Sequence, residues 1–410
     1  MKSNVYFDNA ASTRLSEAVL RAMQPYLKAG YGNPSSLHKT GMEAKTAISK
    51  ARGQVAKVLN CKTQEIIFTS GGTESNNLAI LGIIQKFQLS HQKIGHIITT
   101  AIEHEAVLEP IQFLQKMGWA VSFAPVDKFG IVSPDTIKKL IRKDTVLVSV
   151  MYVNNETGAI QPIQEIGKVI AGVNRARRNK KQSPVFFHTD ACQAGGLLDL
   201  NVEKLKVDLL TLNGSKIHGP KGSGILFKKS GVEIEPQIRG GGQEHGLRSG
   251  TENTPAIVGF GEAITLIRIQ AKKSLKQLFA KQSYLEKLLL KKIPNLIING
   301  SANLKLKPKE PNFGLLKLQS TTNFSIKGVE GEALMYYLDA AGFSVATGSA
   351  CTTASNEPSH VLKAMGINDQ LARSTIRVSL DYNVTTKEIT QFVNVLYKTV
   401  DLLKNTKQNL

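Results

Sequence analysis

Short apolar, β-branched runs alternate with amphipathic stretches between about residue 65 and residue 230. Helical patterns in this region cover residues 76–88, 105–117 and 163–174. The candidate strands cover residues 65–69, 95–101, 120–126, 145–153, 184–191, 208–212 and 224–228. Because parallel strands need crossover connections, this alternation predicts an α/β fold with a mostly parallel, seven-stranded sheet covered on both faces.

After residue 255 the pattern changes to long lysine-rich helical segments, of which residues 262–293 are the clearest. Further candidate strands and helices follow at residues 322–326, 330–341, 343–346, 375–380 and 387–403. A chain of 410 residues has room for two domains. We expect a large α/β domain at residues 15–260 and a smaller α+β domain formed by residues 1–14 and 261–410.

The chain is strongly basic, with 52 Lys and Arg against 32 Asp and Glu and a formal net charge of +20. A dense basic run at residues 175–181 allows a weak nucleic-acid contact, but no RNA-binding motif accompanies it, which favours a solvated helix end. No apolar stretch reaches the length of a membrane helix, and residues 1–13 lack the apolar core of a secretory signal. Cys61, Cys192 and Cys351 show no zinc-site spacing, so we expect a reduced, cytoplasmic protein without a metal site.

Two neighbouring strand ends carry the residues with the clearest chemistry. One apolar run stops on Asp190, and the next run places Lys216 just beyond its end. In parallel sheets, ligands bind at the carboxyl ends of the strands. A carboxylate that keeps a pyridine nitrogen protonated, beside a lysine that can form a Schiff base, is what pyridoxal 5'-phosphate (PLP) requires. The alternative for these two residues alone is an exposed ion pair.

Other polar groups lie at the same predicted edge. Gly72 and Thr73 stand between a strand and a helix, where free backbone N–H groups suit a phosphate; an ordinary helix cap is the alternative. His104 follows a strand and is suited to stacking on a cofactor ring and moving protons, although a lone histidine is more often structural. The glycine-rich segment 239–251 offers further phosphate donors or a domain hinge.

Cys351 lies in a small, polar, turn-prone stretch, residues 346–355, which predicts an accessible thiol on a mobile loop. Burial is the expected state of Cys61 and Cys192. Arg377 alternates within a candidate strand and suits a bidentate contact with a substrate carboxylate, a surface salt bridge being the alternative.

Seven motifs, in order along nearly the whole chain, closely resemble the cysteine desulfurases of the NifS/IscS class, which are class-V aminotransferase-like PLP enzymes. They are FDNAAST (7–13), GNPSS (32–36), SGGTESN (70–76), VNNETG (153–158), HTDACQ (188–193), LRSGTE (247–252) and GSACT (348–352). The resemblance implies the fold type I of PLP enzymes, a homodimer, and conversion of L-cysteine to L-alanine. The sulfur would be held as a persulfide on Cys351 and passed to an iron–sulfur scaffold protein for cluster assembly, or to a tRNA-thiolating enzyme.

The resemblance also implies the role of single residues. Lys216 would bond covalently to PLP and act in catalysis together with Cys351 and His104. His104 would also stack on the cofactor ring. Asp190 would pair with the ring nitrogen and Gln193 with the ring hydroxyl. The remaining implied positions are Gly72, Thr73, Asn213, Ser215 and Thr251 for the cofactor, with Thr251 reaching across the dimer, Asn155 for cofactor and substrate, and Arg377 for the substrate carboxylate.

One motif departs from the family pattern, at two positions. The family usually has Ser-x-His-Lys, whereas this chain has Asn213 and Ser215 in place of the Ser and the His. An amide and a hydroxyl both donate hydrogen bonds, so we expect phosphate binding to persist without the imidazole beside Lys216. The alternatives are a selenocysteine lyase or other carbon–sulfur lyase on the same scaffold, and a catalytically weakened sulfur-relay or scaffold protein.

Overall fold

The structure, a computed structural model, describes residues 4–300, 317–318, 320–347 and 357–408. Its strands are β1 Val5–Tyr6, β2 Ile66–Thr69, β3 His96–Thr100, β4 Ala120–Ala124, β5 Thr145–Ser149, β6 Phe186–Asp190, β7 Leu209–Asn213, β8 Gly224–Lys228, β9 Leu296–Asn299, β10 Thr321–Ile326, β11 Phe343–Ser344 and β12 Thr375–Ser379. Its α-helices are α1 Glu17–Lys28, α2 Lys39–Leu59, α3 Gly72–His91, α4 Glu105–Lys116, α5 Pro134–Leu140, α6 Ile163–Asn179, α7 Val202–Leu205, α8 Thr254–Lys292, α9 Gly331–Ala340, α10 His360–Ala364, α11 Asp369–Arg373 and α12 Thr386–Gln408.

The largest sheet in the described residues has seven strands in the order β2-β8-β7-β6-β5-β3-β4. Neighbouring strands from β7 to β4 pair in parallel, whereas β8 runs antiparallel to both β7 and β2. The predicted mostly parallel α/β sheet is therefore confirmed. The reversal of β8 follows from its short connection, residues 214–223, since a parallel return needs a crossover of a dozen or more residues.

Helices cover both faces of this sheet, as the continuous apolar runs predict. In β2, Ile66 and Phe68 pack into a core with α2, α6 and α8, whereas Ile67 packs into a second core with α3 and α4. Successive side chains of a strand point to opposite faces, so a strand buried on both sides must be apolar throughout. This arrangement leaves the ends of the strands as the part of the sheet open to a ligand.

β5 is shorter than the sequence predicts, ending at Ser149 rather than at residue 153. Beyond it the chain turns back on itself: Val153 bridges Ile160, and the backbone N–H of Asn154 donates to the carbonyl of Ala159 at 2.9 Å. Val153 is β-branched, so the sequence favours a strand at this position although the residue lies in a tight turn. The turn sets Asn154 and its neighbours at the carboxyl edge of the sheet.

A second, antiparallel sheet in the described residues has the order β12-β10-β9 and packs against α9 and α12. The two-residue β1 pairs in parallel with β11, which ties the start of the chain to this region. α8 runs unbroken through residue 260, the predicted boundary between the domains. The division into residues 15–260 and residues 1–14 with 261–410 stays a prediction. Within the described residues, no helix combines the length and apolar character needed to cross a membrane.

His96 at the start of β3 makes the stability of this sheet dependent on pH. The imidazole is fully buried, with Nδ1 2.8 Å from Thr145 Oγ1 and Nε2 2.9 Å from Ser122 Oγ. Burial, followed by the positive charge of Arg142, lowers its pKa from 6.5 to about 4. The folded state therefore binds fewer protons than the unfolded state between these values, so the stabilising contribution is complete above pH 6.5 and is lost as pH falls toward 4.

We expect the His96→Gln variant to lose less stability than the wild type between pH 7.5 and pH 5, because glutamine does not titrate. The measurement is the free energy of unfolding in urea at several pH values, taken as the difference between the two proteins so that other titrating groups cancel. If the free energies of unfolding of the two proteins change equally between pH 7.5 and pH 5, the lowered pKa of His96 is wrong.

Candidate active site

Asp190 ends β6 near the middle of the large sheet, with its carboxylate almost fully buried. Oδ2 accepts a hydrogen bond from Asn76 Nδ2 at 2.6 Å, and Oδ1 accepts one from the backbone N–H of Cys192 at 2.9 Å. Asn76 belongs to α3, so a helix and a strand end together orient the carboxylate. The result is a fixed negative charge at the carboxyl edge of the sheet.

Lys216 closes a 3₁₀ turn, Gly214–Lys216, that begins directly after β7. β7 pairs in parallel with β6, which brings Lys216 to the same edge as Asp190. Lys216 Nζ donates to the carbonyl oxygens of Ala10 at 2.8 Å and Ala11 at 2.5 Å. Gln193 Nε2 donates to the same Ala10 carbonyl at 2.9 Å. The N-terminal segment therefore forms a wall against the amine and the amide.

His104 is the N-cap residue of α4, and its Nδ1 accepts a hydrogen bond from the backbone N–H of Ala106 at 3.0 Å. Burial lowers its pKa, while the charge of Asp190 opposes this effect and that of Lys216 adds to it. Because the charges of Asp190 and Lys216 both act on the pKa of His104, these three side chains interact electrostatically. With Nδ1 acting as acceptor, the neutral ring carries its proton on Nε2.

Gly72 begins α3 at the same edge and is packed so closely that a side chain does not fit. An ideal Cβ at this position would lie 2.8 Å from Cys192 Sγ and 3.6 Å from the side chain of Asn213. Asn213 Oδ1 accepts hydrogen bonds from the Ser215 backbone N–H and hydroxyl, both at 3.1 Å. In the described residues no side chain caps the N-terminal turn of α3. Backbone N–H groups and the exposed Thr73 are thus presented to a ligand.

The glycine-rich segment 239–251 is tied to this turn by Arg248, whose Nε lies 2.9 Å from Glu74 Oε1. Glu74 Oε2 in turn accepts the backbone N–H of Ser70 at 2.8 Å. Thr251 lies three residues beyond Arg248 and is exposed. An exposed Thr251 agrees with a contact to a partner subunit, a role that stays a prediction.

Arg377 lies in β12 and is almost fully buried. Its guanidinium donates to Asp8 Oδ1 at 2.8 Å and to the backbone carbonyl of Asn155 at 3.0 Å, so the structure brings the two expected substrate-binding residues together. Nε has no hydrogen-bond partner in the described part of the chain. A buried guanidinium with an unpaired donor is an attractive position for a carboxylate.

Several residues of this site were missed from the sequence. They include Asn76 beside Asp190, Asp8 beside Arg377, and Glu103, whose Oε1 accepts Thr100 Oγ1 at 2.6 Å and the Met151 backbone N–H at 2.9 Å. Burial raises the pKa of Glu103 to about 8. Asp8 lies in the FDNAAST motif and Asn76 in the SGGTESN motif, and this membership is the sequence feature that could have pointed to them.

Two of the three cysteines, Cys61 and Cys192, lie in the described residues. Cys351 lies outside the described residues. Cys192 is buried as expected, and burial raises the pKa of its thiol. The predicted burial of Cys61 is wrong, because it is only partly covered where α2 ends at a surface cavity. Its pKa is nevertheless raised, to about 12, mainly by desolvation. Neither Cys61 nor Cys192 is a thiolate at neutral pH.

The close contact at Gly72 makes a specific prediction. We expect Gly72→Ala to weaken cofactor retention and to cost about 1–3 kcal/mol of stability, as overpacking typically does. Adding Cys192→Ala removes the nearest atom and should restore part of both losses. Titration of the apoprotein with PLP and thermal unfolding measure the two effects.

The control for that experiment is Gly53→Ala in α2, where an ideal Cβ meets no atom within 4 Å. Alanine is the better helix former, so this change should leave cofactor binding unaltered and stability equal or slightly higher. If the double variant Gly72→Ala/Cys192→Ala binds PLP no better than Gly72→Ala alone, the packing explanation is wrong.

Comparison with known proteins extends the resemblance over the whole fold. The profile of the aminotransferase class-V family matches residues 5–392. A cysteine desulfurase IscS of Dictyoglomus turgidum is 44% identical over 404 residues, which cover 98% of this chain and 96% of that protein. A solved NifS-like protein superposes with a TM-score of 0.86 at 35% identity and covers 97% of this chain and 100% of its own. The solved structure of SspA in complex with cysteine has a TM-score of 0.76 at 35% identity, covering 93% of this chain and 100% of its own.

Proposed function

Because the chain belongs to the aminotransferase class-V family, we propose that it works as a PLP-dependent cysteine desulfurase, a sulfurtransferase that converts L-cysteine to L-alanine. The observation that supports this most directly is the placement of Asp190 and Lys216 at one edge of the sheet, beside the uncapped start of α3. The cysteine seen in the related SspA structure supports the choice of substrate.

The residues at this edge fit PLP. The oriented carboxylate of Asp190 suits a protonated pyridine nitrogen, and the start of α3 at Gly72, which no side chain caps in the described residues, suits a phosphate on backbone N–H groups. Thr73, Asn213 and Ser215 add polar side chains at the same turn. In place of the family's histidine beside Lys216, the Ser215 hydroxyl donates to Asn213 Oδ1, which leaves the Asn213 Nδ2 donors for a ligand. PLP bound here supplies an electron sink for bond cleavage in an amino acid substrate.

The protein's own residues bind the substrate and move its protons. Arg377, already held by Asp8 and the Asn155 carbonyl, orients the substrate carboxylate with its free donor. The Lys216 amine would accept the proton of the substrate α-carbon. His104 keeps a proton on Nε2 in the neutral ring and would stack on the ring of bound PLP.

Sulfur leaves the substrate by transfer to Cys351. The Cys351 thiolate attacks the substrate sulfur, so that an S–S bond forms while the C–S bond breaks. The electron pair of the broken bond stays on the substrate carbon, which takes a proton and ends as alanine. The raised pKa values of Cys61 and Cys192 support the assignment of this step to the remaining thiol.

The wider setting of the enzyme is part of the same proposal. A homodimer is supported by the exposed Tyr31 and Leu37 around the GNPSS motif and by the exposed Thr251. The acceptor of the persulfide would be an iron–sulfur scaffold protein or a tRNA-thiolating enzyme, as the name of the IscS relative suggests for the first. The free thiols of Cys61 and Cys192 support a reduced, cytoplasmic setting.

The test is to record the absorption spectrum of the purified protein, add L-cysteine and assay alanine. We expect a band at roughly 420 nm, typical of lysine-bound PLP, that changes on addition of cysteine and is accompanied by alanine and a protein persulfide. Alanine with free sulfide but no persulfide would favour a lyase. A protein that stays colourless and inert with added PLP would disprove the proposal.

A further inference from the structure

A cavity of about 890 Å³ opens at the edge of the large sheet opposite the active site. It lies between the end of α2, the outer face of α6, the residues before β7 and the end of β8. Asp208 lines this cavity directly before β7, and the five residues of β7, Leu209–Asn213, span roughly 17 Å to the cofactor site. The cavity therefore has no part in the proposed catalysis.

The wall of the cavity is rich in cations without counter-ions. Lys57, Lys168, Arg175, Arg178 and Lys206 all line it, and none of them forms an ion pair with an Asp or Glu in the described part of the protein. Unpaired cations facing one concave space repel one another and attract an anion. A bound polyanion would relieve this repulsion.

The acidic residues on the same wall are already engaged by other groups. Asp208 Oδ2 accepts the backbone N–H of Phe187 at 3.0 Å, and its Oδ1 pairs with Lys229 at 3.4 Å. Glu65 accepts the backbone N–H groups of Lys62 at 2.8 Å and Ser230 at 2.7 Å. Glu203, the third carboxylate of the wall, accepts Asn60 Nδ2 at 3.2 Å through Oε2. All three carboxylates are thus engaged elsewhere and form no ion pair with the five cations named above in the described residues.

The arginines of the basic run, residues 175–181, have different surroundings in the structure. Arg177 is buried, and its NH1 donates to the carbonyls of Thr145 at 2.8 Å and Ser183 at 2.9 Å, so it supports the fold. Arg175 and Arg178, three residues apart on α6, face the cavity instead. A solvated helix end, which the sequence favours for this run, does not explain why Arg175 and Arg178 both line one concave surface.

We propose that this cavity binds a small ligand carrying several phosphate groups, such as a nucleoside triphosphate or an inorganic polyphosphate. Its volume lies within the range of small-molecule sites, about 300–1,000 Å³. Arg175 and Arg178 supply planar forks that match phosphate oxygens, and Lys168 and Lys206 add charge. Ile170, Val207 and Phe227 also line the cavity but are each only 2% exposed, so recognition rests on the phosphate groups. A recessed cavity of this size favours such a ligand over a long nucleic acid.

The test is isothermal titration calorimetry of the full-length holoenzyme with ATP, with tripolyphosphate and with adenosine. We expect both phosphate compounds to bind and adenosine not to bind. The double variant Arg175→Gln/Arg178→Gln should weaken binding at least about tenfold, as expected for losing two charge-assisted contacts. The matched control is Lys180→Gln/Lys181→Gln, which removes the same charge from the same run outside the cavity wall.

The outcomes separate the possible sources of the phosphate. Tighter binding of ATP than of tripolyphosphate supports a nucleotide, and equal binding supports the phosphate chain alone. Equal loss of binding in the two double variants would show diffuse attraction by the basic surface and would overturn the proposal. So would binding of a single-stranded RNA without binding of ATP or tripolyphosphate. Unchanged desulfurase activity in both double variants confirms that they are folded.

Discussion

Replacing Lys216 by alanine is expected to remove the absorption band at roughly 420 nm and to abolish alanine formation from L-cysteine. The amine is the group proposed to bond to PLP and to take the proton from the substrate. Loss of one positioned proton-transfer group alone lowers a rate by about 10²–10⁴-fold, and losing covalent attachment adds to this. Absorption spectra and an alanine assay with excess PLP measure both effects.

Lys221→Ala is the matched control, because Lys221 is exposed in the next turn and lies five residues beyond Lys216. It should keep the band and the activity of the wild type. A Lys216→Ala protein that retains both, or a Lys221→Ala protein that loses both, would mean that the lysine has been wrongly assigned. Thermal unfolding of each variant shows whether the fold is retained.

The second large effect is expected for Cys351→Ser, which should bind PLP and cysteine normally but form no protein persulfide. A hydroxyl is a far weaker nucleophile than a thiolate, so the attack on the substrate sulfur fails. Alanine formation should fall to the level of the reaction without enzyme, while the cysteine-induced change in the spectrum remains. Mass spectrometry of the protein after incubation with L-cysteine detects the persulfide directly.

Cys61→Ser provides the matched control for this substitution. The pKa of Cys61 is raised to about 12, so the thiol is protonated at neutral pH and should accept no sulfur. This variant should form the persulfide at the wild-type level. Sulfur found on Cys61 or Cys192 in the Cys351→Ser protein would contradict the proposed path.

The fold of the large sheet was predictable because its strands are short, largely apolar runs and amphipathic helical stretches separate several of them. The start of α8 was missed by eight residues, although its signals were local. Asn253 accepts the backbone N–H of Ala256, and a proline occupies the first turn. This first part contains Pro255, Gly259 and Gly261, which are poor helix formers and obscured the helical spacing of the buried Ile257, Phe260 and Ile264.

The candidate site was predictable only where a side chain ends a strand. Asp190 and Lys216 fulfil this condition, since parallel neighbours bring their carboxyl ends to one edge. The carbonyls that hold the amine, those of Ala10 and Ala11, carry no signal in the sequence because every residue has a carbonyl. The contact of Asp8 with Arg377 joins residues 369 positions apart, which a local pattern does not reveal.

The placement of the N-terminal segment has a consequence for the order of synthesis. Residues 5–8 hydrogen-bond to the backbone at Gly342, Ser344 and Ser379, and the following residues hold Lys216. Residues 5–8 are therefore synthesised more than 330 residues before their partners at residues 342–379. At 5–20 residues per second, that delay is roughly 20–70 seconds. The wall beside the lysine is complete only after residue 379 has emerged, so a nascent chain with all seven strands of the large sheet still lacks a finished cofactor site.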